Sequence, residues 1–173
     1  MGESSSIRAA LQGTRGPGSW GGVTRWPIPP PMLRALELAE QAAGAGEVPV
    51  GAVIVRDGVV VAEAHNAPRK LSDPTAHAEL LAIRRAAESL HSERLDGCEL
   101  WVTLEPCAMC AGAIVHARIG KLYYAASDPK GGAVEHGARV FEQRQCLHRP
   151  EIYPGMGQAE AGELLRRFFA ARR

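Results

Sequence analysis

Glu99-Leu100-Trp101-Val102-Thr103-Leu104-Glu105-Pro106-Cys107-Ala108-Met109-Cys110 decides how this chain is read, because an apolar run ends there at a Glu-Pro pair and gives way to two cysteines three positions apart. The run 99–104 has the length and content of a buried strand. Glu105-Pro106 reads as a helix start, since proline is tolerated in a first turn whose amides have no intrahelical partner. Cys107 and Cys110 then share one side of that turn. Upstream, Asp73-Pro74-Thr75-Ala76-His77-Ala78-Glu79 repeats the device. Asp73 reads as an N-cap and Pro74 as the first helical residue, and the helix runs on through Leu80, Leu81, Ile83 and Ala87. His77 and Glu79 thus occupy its opening turns.

The flanking segments complete the pattern. The β-branched runs 48–55 and 59–62 enclose Arg56-Asp57-Gly58, whose Asp-Gly pair suits a tight hairpin. The polar stretch 63–72 reads as a loop. After the Pro29-Pro30-Pro31 stop, Leu33, Leu36, Ala39, Ala42 and Ala43 follow a helical stripe that ends at Gly44. A further strand is expected at 121–125, and Leu164, Leu165, Phe168 and Phe169 mark the apolar face of a C-terminal helix. A hairpin followed by alternating helix and strand predicts an α/β fold of three layers, α-β-α, with a mixed central sheet.

A chain of 173 residues, 46% hydrophobic and 5% aromatic, suits one domain with a substantial core. Its 20 basic and 19 acidic residues nearly cancel, which excludes a whole-molecule field for polyanions, so any nucleic-acid surface must be local. Residues 1–31 stand apart, rich in Gly, Pro and Ser, and read as a poorly ordered extension before a domain at 32–173. Trp20 and Trp26 are its candidate anchors. The longest apolar run in the extension, Ala9-Ala10-Leu11, is too short for a secretion signal. No run in the chain approaches the roughly 20 residues of a membrane helix. Cysteines few in number, two of them at ligand spacing, point to a reducing compartment, and the cytoplasm is expected.

His77, Cys107 and Cys110 are three donors of the kind zinc favours. A catalytic zinc keeps three protein ligands and leaves its fourth position to water, whose pKa it lowers to about 7. Helix N-termini favour thiolate over thiol, which suits both cysteines. Glu79 is not needed as a ligand and is placed to take a proton and return it. One Zn2+ per subunit is expected. A closed structural site would need a fourth ligand, and Cys98, Cys146 and the histidines at 65, 91, 116, 136 and 148 are candidates, but none stands in a second ligand pair. Cys98 reads as a small packing residue.

The pairing of His-x-Glu with a later Pro-Cys-x-x-Cys resembles the signature of zinc nucleobase deaminases. The likeness widens at Glu47-Val48-Pro49-Val50-Gly51-Ala52-Val53, at 73–79 and at Thr103-Leu104-Glu105-Pro106-Cys107-Ala108-Met109-Cys110-Ala111-Gly112-Ala113-Ile114. These blocks are similar to the bacterial tRNA-specific adenosine deaminases, and the similarity covers about 32–173. The resemblance implies a cytidine-deaminase-like fold, a homodimer, and conversion of the wobble adenosine of a tRNA anticodon loop to inosine with release of ammonia. Residue by residue it implies His77, Cys107 and Cys110 as zinc ligands, Glu79 as proton shuttle, Asn66 as purine contact and Asp128 as a residue near the RNA. Phe168, Phe169 and the arginines Arg166, Arg167, Arg172 and Arg173 resemble the family's terminal helix, whose basic side can meet RNA. The chain departs from the common pattern at Gly132-Ala133-Val134-Glu135-His136, where Glu135 would repel phosphate and His136 could stack on a base or bond to one; an exposed polar loop is the other reading of these residues. Deaminases of free guanine, cytosine or adenosine share the metal motif, so a small base or nucleoside is the alternative substrate. A non-catalytic, zinc-stabilised RNA-binding module is the third reading. Neither DNA nor a membrane is an expected partner.

Overall fold

The computed structural model describes residues 27–172, so the extension as far as Trp26, with Trp20, and the terminal Arg173 lie outside the described residues. Helix α1 (Pro30–Gly44) leads into the hairpin of β1 (Gly51–Arg56) and β2 (Val59–His65). A single turn, α2 (Pro68–Leu71), precedes helix α3 (Ala78–Leu90). Strand β3 (Cys98–Leu104), helix α4 (Ala108–Ala117) and strand β4 (Lys121–Ala126) follow. The chain then passes through a 3-10 turn at Val140–Glu142 to strand β5 (Glu151–Pro154) and helix α5 (Gln158–Ala170).

The strands form one mixed sheet in the order β2-β1-β3-β4-β5, antiparallel from β2 to β3 and parallel from β3 to β5. Alternation along β1 divides the core. Val53 and Val55 face Met32, Ala35 and Leu38 of α1 and Ala161 of α5, while Ala52 and Ile54 face Ala78 and Ala82 of α3 and Ile114 of α4. Helices therefore cover both faces, and the expected three layers are present. The hairpin turn at Asp57 and Gly58 has φ of 51° and 77°, the left-handed pair that a tight two-residue loop demands.

Several boundaries differ from the sequence reading. Pro30 and Pro31 begin α1 instead of stopping the chain before it, because a first-turn proline gives up no intrahelical bond. The stretch expected as loop, 63–72, holds the end of β2 and the turn α2. Strand β5 was not anticipated. It is a four-residue edge strand, largely exposed and ending in Pro154, so it carries no alternation to read. Tyr153 of β5 stacks on Tyr123 of β4, which stacks in turn on Trp101 of β3, at centroid distances of 4.7 and 3.7 Å. Among the described residues, no helix is long and apolar enough to cross a membrane.

Candidate active site

Two helices begin one residue after a candidate ligand. His77 is the N-cap of α3 and Cys107 the N-cap of α4, both with extended backbone; the His77 ring makes no bond to its own helix, and the Cys107 sulfur faces Cys110 in the first turn of α4. Both starts lie later than the sequence reading placed them. Asp73 does not cap a helix; its Oδ1 accepts the amide and hydroxyl of Thr75 in a local turn. The first amide of α3, that of Ala78, donates instead to Oδ1 of Asn66 at the end of β2, 2.9 Å away. With capping done from a distance, the His77 ring is released toward α4.

There His77 Nδ1 lies 3.7 Å from Cys107 Sγ and 3.6 Å from Cys110 Sγ, and the three donor atoms fall within 4.8 Å of one another. Donors on a tetrahedral zinc at 2.0–2.3 Å stand about 3.6 Å apart, so the set fits that ion. Among the described residues no fourth His, Cys, Asp or Glu joins the cluster. Cys98 is buried elsewhere, and Cys146 donates to the carbonyl of His148. The Cys110 thiol beside Cys107 overrides the cost of burial, and with help from His77 it holds the Cys107 thiol down at about 4. Cys110 moves the opposite way, because it shares its proton with Cys107 and is buried. His77 is raised, chiefly by its bond to Cys107. Glu79, only 4% exposed, is pushed up to about 7 by burial, against smaller opposing effects that include its own amide and His77.

Around this cluster lies a cavity of about 540 Å³. Its lining includes His77, Glu79 and Cys107, with Asn66, Glu105 and Asp128 on further sides. Asn66 is held at both ends, since its Nδ2 donates to the carbonyl of Val48 while its Oδ1 serves Ala78. Asp128 Oδ1 accepts the amides of Lys130 and Gly131 in a turn at the rim. Helix α5 supplies Phe168 and Phe169 to the lining and the turn after it supplies Arg172; the Arg172 guanidinium lies 3.6 Å over the Phe168 ring, and its Nη2 reaches the carbonyl of Gly46. Arg166, by contrast, is paired with Glu163 on the exposed side of α5.

Residues 31–173 match the MafB19-like deaminase family. A tRNA-specific adenosine deaminase of Agrobacterium fabrum is 55% identical over 142 residues, which is 82% of this chain and 93% of that protein. The chain belongs to the tRNA-specific adenosine deaminase family. Its fold superposes with a TM-score of 0.77 on a solved tRNA:A34 deaminase of 54% identity, covering 78% of this chain and 98% of that one. It is also similar to the guanine deaminase of Bacillus subtilis, at 37% identity and a TM-score of 0.57, covering 82% and 91% of the two chains.

In this family member, two polar residues that the sequence did not single out shape the cavity. Glu47 is buried and accepts the amide of Lys70, fixing α2 at the cavity mouth. Glu105, read from the sequence as part of a helix start, lies in the link between β3 and α4. It takes the amides of Asp128, Val134, Glu135 and His136 together with the ring of His136. Burial alone would raise the Glu105 carboxyl, but these donors outweigh it and hold it below its usual range. His136, read from the sequence as a candidate base contact, has its Nδ1 committed to Glu105 at 2.7 Å, and the residue is not part of the cavity lining. A lone carboxylate at a strand end, flanked by Leu104 and Pro106, was the only local signal.

Proposed function

We propose that this chain catalyses zinc-dependent hydrolytic deamination of the wobble adenosine in a tRNA anticodon loop, giving inosine and ammonia. The observation that carries this reading is a buried, unligated Glu79 carboxyl in the same cavity wall as the His77-Cys107-Cys110 donor set. A zinc-stabilised binding module would have no use for such a group, whose burial is unfavourable. Zinc on the three donors would supply the Lewis acidity that makes water a nucleophile near neutral pH.

The remaining steps belong to the chain. Glu79 takes a proton from the attacking water and delivers it to ring N1 of the adenine. It then takes the proton of the new C6 hydroxyl and passes it to the amine, so that the C6–N bond breaks, ammonia leaves and the C6 carbonyl forms. Without a cation beside it, this carboxyl is raised by burial to about 7; beside a cation held by the three donors it would shift back toward the ionised form that accepts the water's proton. Asn66, with one amide hydrogen on Val48 and a second to offer, orients the purine, and Asp128 borders the adjoining RNA. Exposed Phe169 and the guanidinium groups of Arg69 and Arg172 at the cavity border supply stacking and charge for nucleotides flanking a flipped base. Anticodon bases are already partly unstacked, so extrusion costs less than the few kcal/mol of a duplex.

The catalytic domain is assigned to 32–173, with 1–31 as an extension, in a cytoplasmic homodimer; Met109 on α4, 37% exposed, is an available apolar contact for a second subunit. The test is a parallel assay of the zinc-loaded protein on an anticodon stem-loop bearing the wobble adenosine, free adenosine, guanine and cytosine, reading inosine in the RNA and ammonia in each reaction. Inosine in the stem-loop is expected. Ammonia from guanine or another free base alone would overturn the RNA assignment in favour of a small-molecule deaminase, a reading that the likeness to guanine deaminase favours.

A further inference from the structure

Segment 128–137, which contributes Asp128 and Gly131 to the cavity wall, has neither helix nor strand to hold it. One side chain outside the segment gathers both of its ends. Glu105 is 2% exposed; its Oε1 accepts the amides of Val134, Glu135 and His136 at 3.1, 2.9 and 3.1 Å. Its Oε2 accepts the Asp128 amide at 2.9 Å and the His136 Nδ1–H at 2.7 Å. A carboxylate offers about four lone-pair sites, so this one is saturated and the loop is drawn around it from both ends. The packing leaves no slack. A Cβ on Gly132 would lie 2.4 Å from Glu105 Cδ and 2.6 Å from the Asp128 carbonyl, and one on Gly137, where φ is +51°, would meet the Gly132 carbonyl at 2.5 Å.

We propose that Glu105 is a positioning residue for the substrate, with His136 as its side-chain latch, and that together they hold the wall at Asp128 and Gly131 in the shape that receives the nucleotides beside the target base. The inference rests on the reading of this cavity as an RNA-deaminating site. Four of the donors are backbone amides, which any residue but proline would supply; the imidazole is the one side-chain partner among them. It contributes a charge-assisted bond between the segment's far end and the same oxygen that anchors its near end at Asp128. Losing it loosens the tie between the two ends, leaving only their amides on Glu105, while the metal donors and Glu79 stay in place. The effect should fall on binding, not on the chemical step.

The experiment compares zinc-loaded wild type, His136→Leu, His136→Asn and Glu105→Gln on the anticodon stem-loop, with amide hydrogen exchange measured in the absence of RNA. Asparagine places an N–H where the histidine Nδ1–H stood; leucine does not. Loss of one bond to a charged group predicts a KM about ten-fold higher for His136→Leu, with kcat within about two-fold of wild type. Exchange at the amides of Asp128, Val134, Glu135 and His136 should quicken by a similar factor, zinc content should be unchanged, and His136→Asn should restore both readouts. Glu105→Gln turns donors toward donors and should exceed His136→Leu; if it fails to fold, the two His136 variants decide the question. Unchanged KM and exchange in His136→Leu, or an Asn variant as impaired as the Leu variant, overturns the latch. A wild type silent on the stem-loop but active on guanine overturns the RNA reading instead, and exchange, which needs no substrate, still decides whether the latch holds the loop.

Discussion

Replacing Glu79 by glutamine should move activity and stability in opposite directions. Burial raises this carboxyl from 4.5 to about 7, with its own amide and His77 opposing the rise without cancelling it. At about 1.4 kcal/mol per tenfold change in proton affinity, the rise corresponds to about 3 kcal/mol. Below pH 4.5 the folded and unfolded chains both hold the proton, and Glu79 costs the fold nothing by ionisation. Between 4.5 and about 7 the unfolded chain releases it and the folded chain does not, so stability declines as pH rises and stays lower above that window. Glutamine has no proton to lose. In chelator-treated protein at pH 8, Glu79→Gln should therefore exceed wild type by about 3 kcal/mol, a Tm difference of roughly 6–12 °C, and the two should converge near pH 4. With zinc restored, the same variant should lose roughly 10²–10⁴-fold in ammonia release while keeping its metal. Thermal denaturation at the two pH values and a steady-state ammonia assay measure both effects. Equal stability at pH 8 would refute the burial argument, and wild-type turnover would remove Glu79 from proton transfer.

Cys107→Ser should lower zinc content by elemental analysis and lower the Tm with it, because metal binding and folding are coupled; full occupancy with normal activity would contradict its role as a ligand. Gly51→Ala would set a Cβ 2.0 Å from the Ala35 carbonyl and 2.8 Å from the Ala39 amide, prising α1 off β1. A loss of about 1–3 kcal/mol or more is expected in urea titration, and a wild-type midpoint would count against this seating of α1. Arg34 forks onto Glu63 through Nε and Nη2, tying α1 to β2, and that bond holds the Glu63 carboxyl below its usual range. The stabilisation exists where Glu63 is ionised and is lost as pH falls, so Glu63→Gln should cost less than about 1 kcal/mol at pH 7 for this partly exposed pair and nothing once the pH has fallen through the lowered folded-state pKa and the wild-type carboxyl is protonated.

What could be read from the sequence was whatever is encoded locally. The β-branched run of β1, the Asp57-Gly58 turn and the spacing of Cys107 and Cys110 all act within a few residues, and the structure brings His77 together with the two cysteines. What could not be read depends on partners far along the chain. Asp73-Pro74 looks like a helix start by every local rule, yet α3 waits for Ala78, because the side chain that satisfies its first amide is Asn66, 12 positions upstream. Glu105 gathers amides 23 to 31 positions downstream, and no short motif announces such a collection. His136 offered two readings, a base contact or an exposed loop residue; contact with Glu105 was a third that needed the folded loop to be visible.

Asn66 and Glu105 show why the cluster can sit where it does. An N-cap residue ordinarily turns its side chain inward to bond an amide of its own first turn. His77 occupies an N-cap position and does not do so, which frees the imidazole to face the Cys107 sulfur at the start of α4, where that sulfur also meets Cys110. For α3 the displaced task falls to Asn66, and beside α4 Glu105 secures the loop whose Ala133 amide bonds the carbonyl of Pro106. Serine or aspartate at the two caps would serve helix formation better and would leave no soft donors. The site therefore exists at some expense to local helix stability, and buried polar side chains on neighbouring elements offset it. Changes at Asn66 or Glu105 should consequently act on the cluster through the geometry of α3 and of the 128–137 loop, even though neither residue belongs to the donor set.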